Sequence, residues 1–302
     1  MKITNKNNLP QVLVRALTND PYTYTGDISV TQMIQSPRQR WLFIRHNDEL
    51  EEDVMDRIWA LLGSAVHNIL EQADDKESDD LQEERLEASV GGWTFSGATD
   101  LYESDNERLI DFKVTSAWAF LNGIKEEWEF QTNALAYLYE KAGFKVKKLA
   151  ILCIFRDWSK FKMMASENYP RKQAEVMEVP LWKLEETEQR VLNRIEIHRN
   201  AEHLPDDDLP YCTDKECWHR GNTYAVMKNK NKRATRVLDT REEAEDYLTW
   251  LFKDEKNLKH KFRIEKRVGE YIKCDNYCSV QSFCSQYKER MELLNDKETA
   301  ED

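Results

Sequence analysis

The sequence predicts an α/β protein, and three observations carry that expectation. Apolar residues recur at helical spacing from Val54 to Leu70, and three short β-type runs follow between Arg85 and Thr115. A second helix, Glu126 to Ala142, then leads into the strand-like run Lys145 to Phe155. The order helix, three strands, helix, strand suits a sheet covered by helices. At 302 residues the chain has room for one large domain or a main domain plus a smaller one. A shift of composition after Pro205 to Pro210 divides it into an expected core at 29–203 and a C-terminal module at 204–290.

Residues 1 to 28, with Pro10 and Pro21, read as an irregular lead-in. Ser36-Pro37 is an N-cap followed by proline at the first helical position, which opens a short helix. The longer helix starts near Asp53 and ends in acid: nine Asp or Glu fall between Glu71 and Glu87, a solvated connection. RLEASV, WTFSGATDLY and RLIDFKVT then read as one meander, with turns at Gly91-Gly92 and Ser104 to Glu107. Gly143 stops the next helix. Glu175 to Leu181 is an edge strand and Leu184 to His203 a long helix. In the module, YAVMK and ATRVL form a hairpin about the basic turn KNKNKR, a helix spans Thr240 to Phe252, and the polar tail from Arg290 frays.

The formal net charge of −12 argues against a general nucleic-acid coat or a basic membrane-surface protein, but leaves room for a local basic groove. Mean hydropathy is −0.77, no apolar run approaches the roughly 20 residues that span a bilayer, and MKITNKNNLP lacks the apolar stretch of a signal peptide. A soluble, cytoplasmic protein is expected. None of the nine glycines falls in G-x-G-x-x-G, G-x-x-x-x-G-K-[ST] or G-x-S-x-G, and there is no H-E-x-x-H. Rossmann-type dinucleotide binding, a P-loop and a hydrolase elbow are therefore unsupported.

The informative stretch is Gly97-Ala98-Thr99-Asp100 followed by Asp111-Phe112-Lys113. A hairpin turning at Asp105-Asn106 pairs positions that sum to 211, so Asp100 and Asp111 face one another with Lys113 on the same face. Two carboxylates so close repel unless one is protonated or a cation bridges them. A divalent Mg or Mn ion is the economical answer. The Phe112 carbonyl can add an oxygen ligand, His67 a ring nitrogen from the preceding helix, and Lys113 can offset charge on a phosphate. Gly63, one turn before His67, allows a close helix approach, and Gln131 on the following helix can hold Lys113 or a phosphate.

GSAVH ending at His67, GATD ending at Asp100, DFK at 111–113 and Gln131, in this order, resemble the PD-(D/E)XK nuclease superfamily. The similarity is to its RecB/AddB-like branch, which includes the CRISPR-associated adaptation exonucleases and many phage homologues. It implies a restriction-endonuclease-like core, a mixed central sheet flanked by helices, and a metal-dependent DNA nuclease. His67, Asp100, Asp111 and the Phe112 carbonyl would be the metal ligands, with Asp100, Asp111, Lys113 and Gln131 as the catalytic set. The branch has Tyr four residues after the Gln. This chain has Leu135 there, with Tyr137 and Tyr139 as candidates for that part.

Cys274-x3-Cys278-x5-Cys284 needs one distant partner to complete a four-ligand site, and Cys212 and Cys217 are the candidates. Spacing does not separate a 4Fe-4S cluster from zinc. The same branch often carries an iron–sulfur cluster held by one upstream and three C-terminal cysteines, which implies 4Fe-4S with Cys212 as the fourth ligand and Cys217 in reserve. Gly221 to Arg267 holds 13 Lys/Arg against 8 Asp/Glu, and Lys228, Lys230, Lys232, Arg233 and Arg236 are candidate phosphate contacts. Arg38, Arg40 and Arg45 are weaker ones. The expectation is a Mg- or Mn-dependent deoxyribonuclease, an exonuclease on single-stranded or frayed ends, in a bacterial cell or phage-infected host. Its partners would be proteins of recombination, repair or replication. The alternative is a DNA-binding or assembly subunit of such a complex with a regulated or silent site.

Overall fold

The computed structural model describes residues 1–18, 25–73 and 79–300, with side chains as far as 293. The fold is mixed α/β and divides into two compact units, Met1–Leu204 and Pro205–Asp302.

In the first unit, Ser36 Oγ accepts the Gln39 N–H at 3.1 Å and Pro37 takes the first helical position, so helix α1 (Pro37–His46) starts where its cap dictates. A 3₁₀ turn capped by Asp53 leads into α2 (Ile58–Glu71). There follow β1 (Arg85–Val90), β2 (Trp93–Ala98), β3 (Leu101–Glu103), β4 (Arg108–Thr115), α3 (Glu126–Lys141), β5 (Lys148–Phe155), β6 (Ala174–Val179) and α4 (Leu184–Asn200). The main sheet has the order β6-β5-β4-β3, with the two-residue strand Leu81–Gln82 beyond β3. Within this sheet β4 and β5 run parallel, and the long crossover that parallel pairing requires contains α3. Leu149, Ala150 and Ile151 of β5 are fully buried, which explains the continuous apolar run there. Leu101 pairs with Ile110 and Tyr102 with Leu109, the register expected from the hairpin.

The run from Arg85 to Thr115 is not one meander. β1 and β2 form a separate three-stranded sheet with Ile28–Ser29, and the chain changes sheets at Thr99-Asp100. β2 lies tightly against its neighbours at Gly97, where an added Cβ would sit 2.7 Å from Leu135 Cδ2 and 2.8 Å from Val30 Cγ2. The chain bends after this contact and enters the main sheet as β3. Gly63, by contrast, has nothing within 4 Å of the Cβ position, so the close approach expected there does not occur.

Arg38 and Arg40 are also corrected: they are 1% and 6% exposed and cannot meet a phosphate. Arg40 donates to the Asp27 carbonyl at 2.8 Å, with its guanidinium 4.6 Å from the Trp41 ring centre and 5.5 Å from that of Trp93. Arg45 donates to the Glu202 carbonyl at 2.8 Å. These arginines hold α1 in the fold.

The second unit carries an antiparallel sheet of β7 (Thr223–Lys228), β8 (Ala234–Leu238) and β9 (Phe262–Arg267), in the order β8-β7-β9. Helix α5 (Arg241–Leu251), opened by a Thr240/Glu243 capping box, covers it through a small core of Val226, Ala244 and Leu251. The C-terminal tail is not frayed from Arg290: helix α6 (Ser285–Ala300) continues through it, anchored where the Arg290 guanidinium lies 3.2 Å from the Tyr271 ring centre. Among the described residues, no helix is long and apolar enough to cross a membrane.

His198 on α4 is fully buried, with Nε2–H donating to the Met33 carbonyl at 3.2 Å. Burial, reinforced by the positive charge of Arg194, holds it down at about 4. A depressed histidine contributes stability above its unfolded value of roughly 6.5 and loses it as pH falls toward 4. The full effect is about 3 kcal/mol. Denaturant melts of the wild type should weaken between pH 7 and pH 5, and His198→Gln should weaken less over that range. Identical pH dependence would contradict this.

Candidate metal centre

Three elements and one bend converge on a cavity of about 420 Å³ in the first unit. His67 projects from α2, Asp100 from the bend between β2 and β3, Asp111 and Lys113 from β4, and Gln131 from α3. Strand alternation puts Asp111 and Lys113 on one face and turns Phe112 into an apolar cluster with Ile110 and Ala150.

Lys113 Nζ lies 2.8 Å from Asp111 Oδ2 and donates to Gln131 Oε1 at 3.3 Å, while Gln131 Nε2 donates to Asp111 Oδ1 at 3.0 Å. The Phe112 N–H donates to Asp100 Oδ2. His67 Nδ1 is 3.2 Å from Asp100 Oδ1, and its Nε2 is 3.1 Å from the Phe112 carbonyl oxygen. The six positions expected from the sequence are thus brought together.

The electrostatics follow from burial and like charge. Hydrogen bonds from His67 to Asp100 and Glu83 outweigh its burial and push the imidazole up to about 10. Burial raises the Asp111 carboxyl, and the Asp100 charge adds to it while Lys113 opposes. Burial alone would lower Lys113, but the attraction of Asp111 outweighs it and the ammonium is held more firmly than usual. Two cations, imidazolium and ammonium, therefore balance the acids in the metal-free chain.

Glu83 escaped the sequence reading. Its Oε1 lies 3.6 Å from His67 Nδ1, and one donor atom each from His67, Glu83 and Asp100 fall within 4.8 Å of one another. Its backbone φ of +50° turns the chain between Leu81–Gln82 and β1. The only signal was its place just before a β-type run, hidden among nine acids. Carboxylates and a peptide oxygen are donors that suit Mg or Mn, and the imidazole nitrogen favours Mn of the two. Asp111 Oδ2, buried and in contact with Lys113 but without a hydrogen bond of good geometry, is a donor such an ion would satisfy. Leu135 lines the cavity, but neither tyrosine takes the missing part. Tyr137 is buried with its hydroxyl on Glu188, and Tyr139 packs among Tyr102 and Phe144.

In the second unit no disulfide joins any of the cysteines. Burial raises the Cys278 thiol to about 11, and the charges of Cys274, Cys284 and Cys212 add to that rise. Buried Cys217 sits beside them, its Sγ 3.9 Å from the Cys212 carbonyl and 4.0 Å from an Arg290 nitrogen. Its hydrogen bond, with help from Arg290, lowers Cys274 to about 6. Lys228, Lys230 and Arg233 lie at or beside the β7–β8 turn, well exposed except for Lys228.

No family model and no curated protein matches the chain. Among solved structures it is similar to one described as "Crystal structure of SSO0001", at 18% identity and a TM-score of 0.43, over 69% of this chain and 88% of that chain.

Proposed function

We propose that this chain is a divalent-metal-dependent deoxyribonuclease with a restriction-endonuclease-like core of the RecB/AddB-like branch of the PD-(D/E)XK superfamily, acting as an exonuclease on single-stranded or frayed DNA ends. The observation that carries this reading is the convergence of His67, Asp100, Asp111, Lys113, Gln131 and the Phe112 carbonyl on one cavity. Preference for ends comes from the resemblance of motifs alone.

His67, Asp100, Asp111 and the Phe112 carbonyl would hold the ion, with Glu83 at hand beside His67. When bound, Mg or Mn supplies Lewis acidity for attack of water on a phosphodiester. The chain's own residues do the positioning. Lys113, charged and fixed between Asp111 and Gln131, can donate to a non-bridging phosphate oxygen and offset charge that grows in the transition state. Gln131 orders both partners of that ion pair, donating to one and accepting from the other. The Phe112 N–H fixes the Asp100 carboxylate. His67 must give up its proton before its ring nitrogen can act as a ligand.

A 4Fe-4S cluster held by Cys212, Cys274, Cys278 and Cys284 completes the proposal, its role being to order the second unit. Cysteine thiolates, four to a cluster, are the donors that such a group takes. Cys217, whose thiol is hydrogen-bonded with those of Cys212 and Cys274, is the reserve for the fourth position.

Degradation of end-labelled single-stranded DNA by the wild type should require Mg or Mn and stop in EDTA. Lys113→Ala should lose about 100-fold or more in rate, the scale seen on removing one transition-state donor. Equal cleavage by both proteins would overturn the site assignment. For the cluster, anaerobically purified protein should absorb near 400 nm and contain iron and sulfide. The Cys278→Ala, Cys284→Ala double variant should lose both and melt earlier. Colourless wild type with stoichiometric zinc, or an unchanged melt in the variant, would contradict it.

A further inference from the structure

Between Cys217 and Cys274 the chain makes a closed excursion. Its neck is pinned by the Arg220 N–H on the Glu270 carbonyl, by a bridge between His219 and Tyr271, whose rings stack at 4.2 Å, and by the Lys273 N–H on the Cys217 carbonyl. The rest, 221–269, is a lobe made of β7, β8, α5 and β9 around its own small core. β7 runs from the neck to the tip and β8 returns. β9 starts again at the tip, because Phe262 pairs with Lys228. Helix α5 must therefore run from neck to tip.

Charge is segregated along this axis. The first turns of α5, nearest the neck, carry Glu242, Glu243, Glu245 and Asp246. The turn at the tip carries Lys228, Lys230, Lys232 and Arg233. The loop entering β9 adds Lys259 and Lys261, the strand itself adds Arg263, and neither 228–238 nor 256–264 contains an acid. Asn229 joins the two segments: it adopts the left-handed region at φ +53°, its N–H donates to the Lys261 carbonyl, and its Oδ1 accepts the Lys261 N–H at 2.9 Å. His260, between them, is lowered by burial and by the charges of Lys228 and Lys259. Among the described residues, Lys230, Lys232, Arg233, Lys259 and Lys261 are exposed and have no ion-pair partner. Like charges gathered this way repel one another, which is a cost that a polyanion would remove.

Flat groups run along α5 toward this end, from a cavity whose walls also include Glu243 and Asp246. The Arg236 guanidinium lies 5.1 Å from the Tyr247 ring centre, and the Trp250 indole stacks on Tyr247 at 5.6 Å with 16° between planes. Trp250 is 61% exposed, at the tip end of α5. A cationic edge that follows a phosphate backbone, beside an open aromatic face that accepts any base, is the pairing used to bind single strands.

We infer that the lobe 221–269 is a single-stranded DNA-binding site, in which the tip cations hold successive phosphates and Trp250, backed by Tyr247 and Arg236, stacks a base. Its identity as a DNA site rests on the nuclease reading; its preference for an unpaired strand rests on the exposed indole, since duplex bases are stacked on one another. The tip is far simpler to engage than the acidic neck, so the strand passes over the end of the lobe.

The full-length protein in EDTA tests this without any cleavage. Fluorescence anisotropy with a labelled 20-nucleotide oligo(dT) and a blunt 20-base-pair duplex, over a salt series, reads affinity and phosphate contacts separately. The Lys230→Ser, Lys232→Ser, Arg233→Ser triple variant should weaken oligo(dT) binding by about 10-fold or more and reduce the slope of log affinity against log salt by about 2. Trp250→Ala should weaken it by about 5-fold or more with the slope unchanged. Thermal melts matching wild type show that both variants are folded. Unchanged affinity in both would overturn the inference, as would equal or tighter binding of the duplex. So would loss of binding to anionic phosphatidylglycerol vesicles, and not to oligo(dT), in the same variants. A wild type that binds oligo(dT) through the lobe but never cleaves it overturns the nuclease reading and leaves this one standing.

Discussion

The burial of Asp111 beside Asp100 is the constraint on which the first unit depends. A 5% exposed carboxylate next to a second one is held in place only by compensating positive charge. In the metal-free chain Lys113 and His67 provide it, and both are held protonated as a result. Each remaining contact in the cavity serves that balance: Gln131 bridges the ion pair, the Phe112 N–H fixes Asp100, and the Phe112 carbonyl meets the far side of His67. In the proposed function, part of that positive charge is exchanged for a metal ion.

The scaffold makes this balance reproducible. β4 sits in the middle of the main sheet, paired with β3 as far as Ile110 and with β5 along its whole length, so Asp111 and Lys113 are fixed by the ladder to Ile151 and Cys153. Asp100 stands where the chain passes from one sheet to the other, a place determined by the close contact of Gly97 with α3. Groups on strands and helices hold their geometry better than groups on loops, which suits chemistry that depends on positions good to about half an ångström. The second unit follows a different logic, with a thiol set at the neck of an excursion and segregated charge along it.

Much of this was legible in one sequence, for definite reasons. The period of two in RLIDFKVT and the turn at Asp105-Asn106 fixed the hairpin register, and with it the meeting of residues near 100 and 111. The cap at Ser36 marked a helix start because its hydroxyl has a local job that sequence displays. What failed depended on tertiary contact. The buried arginines Arg38 and Arg40 look like any basic pair until Trp41 and Trp93 are placed beside Arg40. Gly63 and Gly97 are indistinguishable as letters, yet only Gly97 has a neighbour at contact. Glu83 was lost among equivalent acids, and the cations at 259–263 joined those at 228–233 only once β9 paired with β7.

The most direct measurement is a calorimetric titration of Mn²⁺ into the metal-free protein at pH 7.5, in two buffers of different ionisation enthalpy. With His67 protonated up to about 10, one ion should bind per chain with release of about one proton, and Asp111→Asn should abolish both. Saturable binding without proton release, or binding that Asp111→Asn leaves intact, would contradict the exchange of protein cations for a metal at this site.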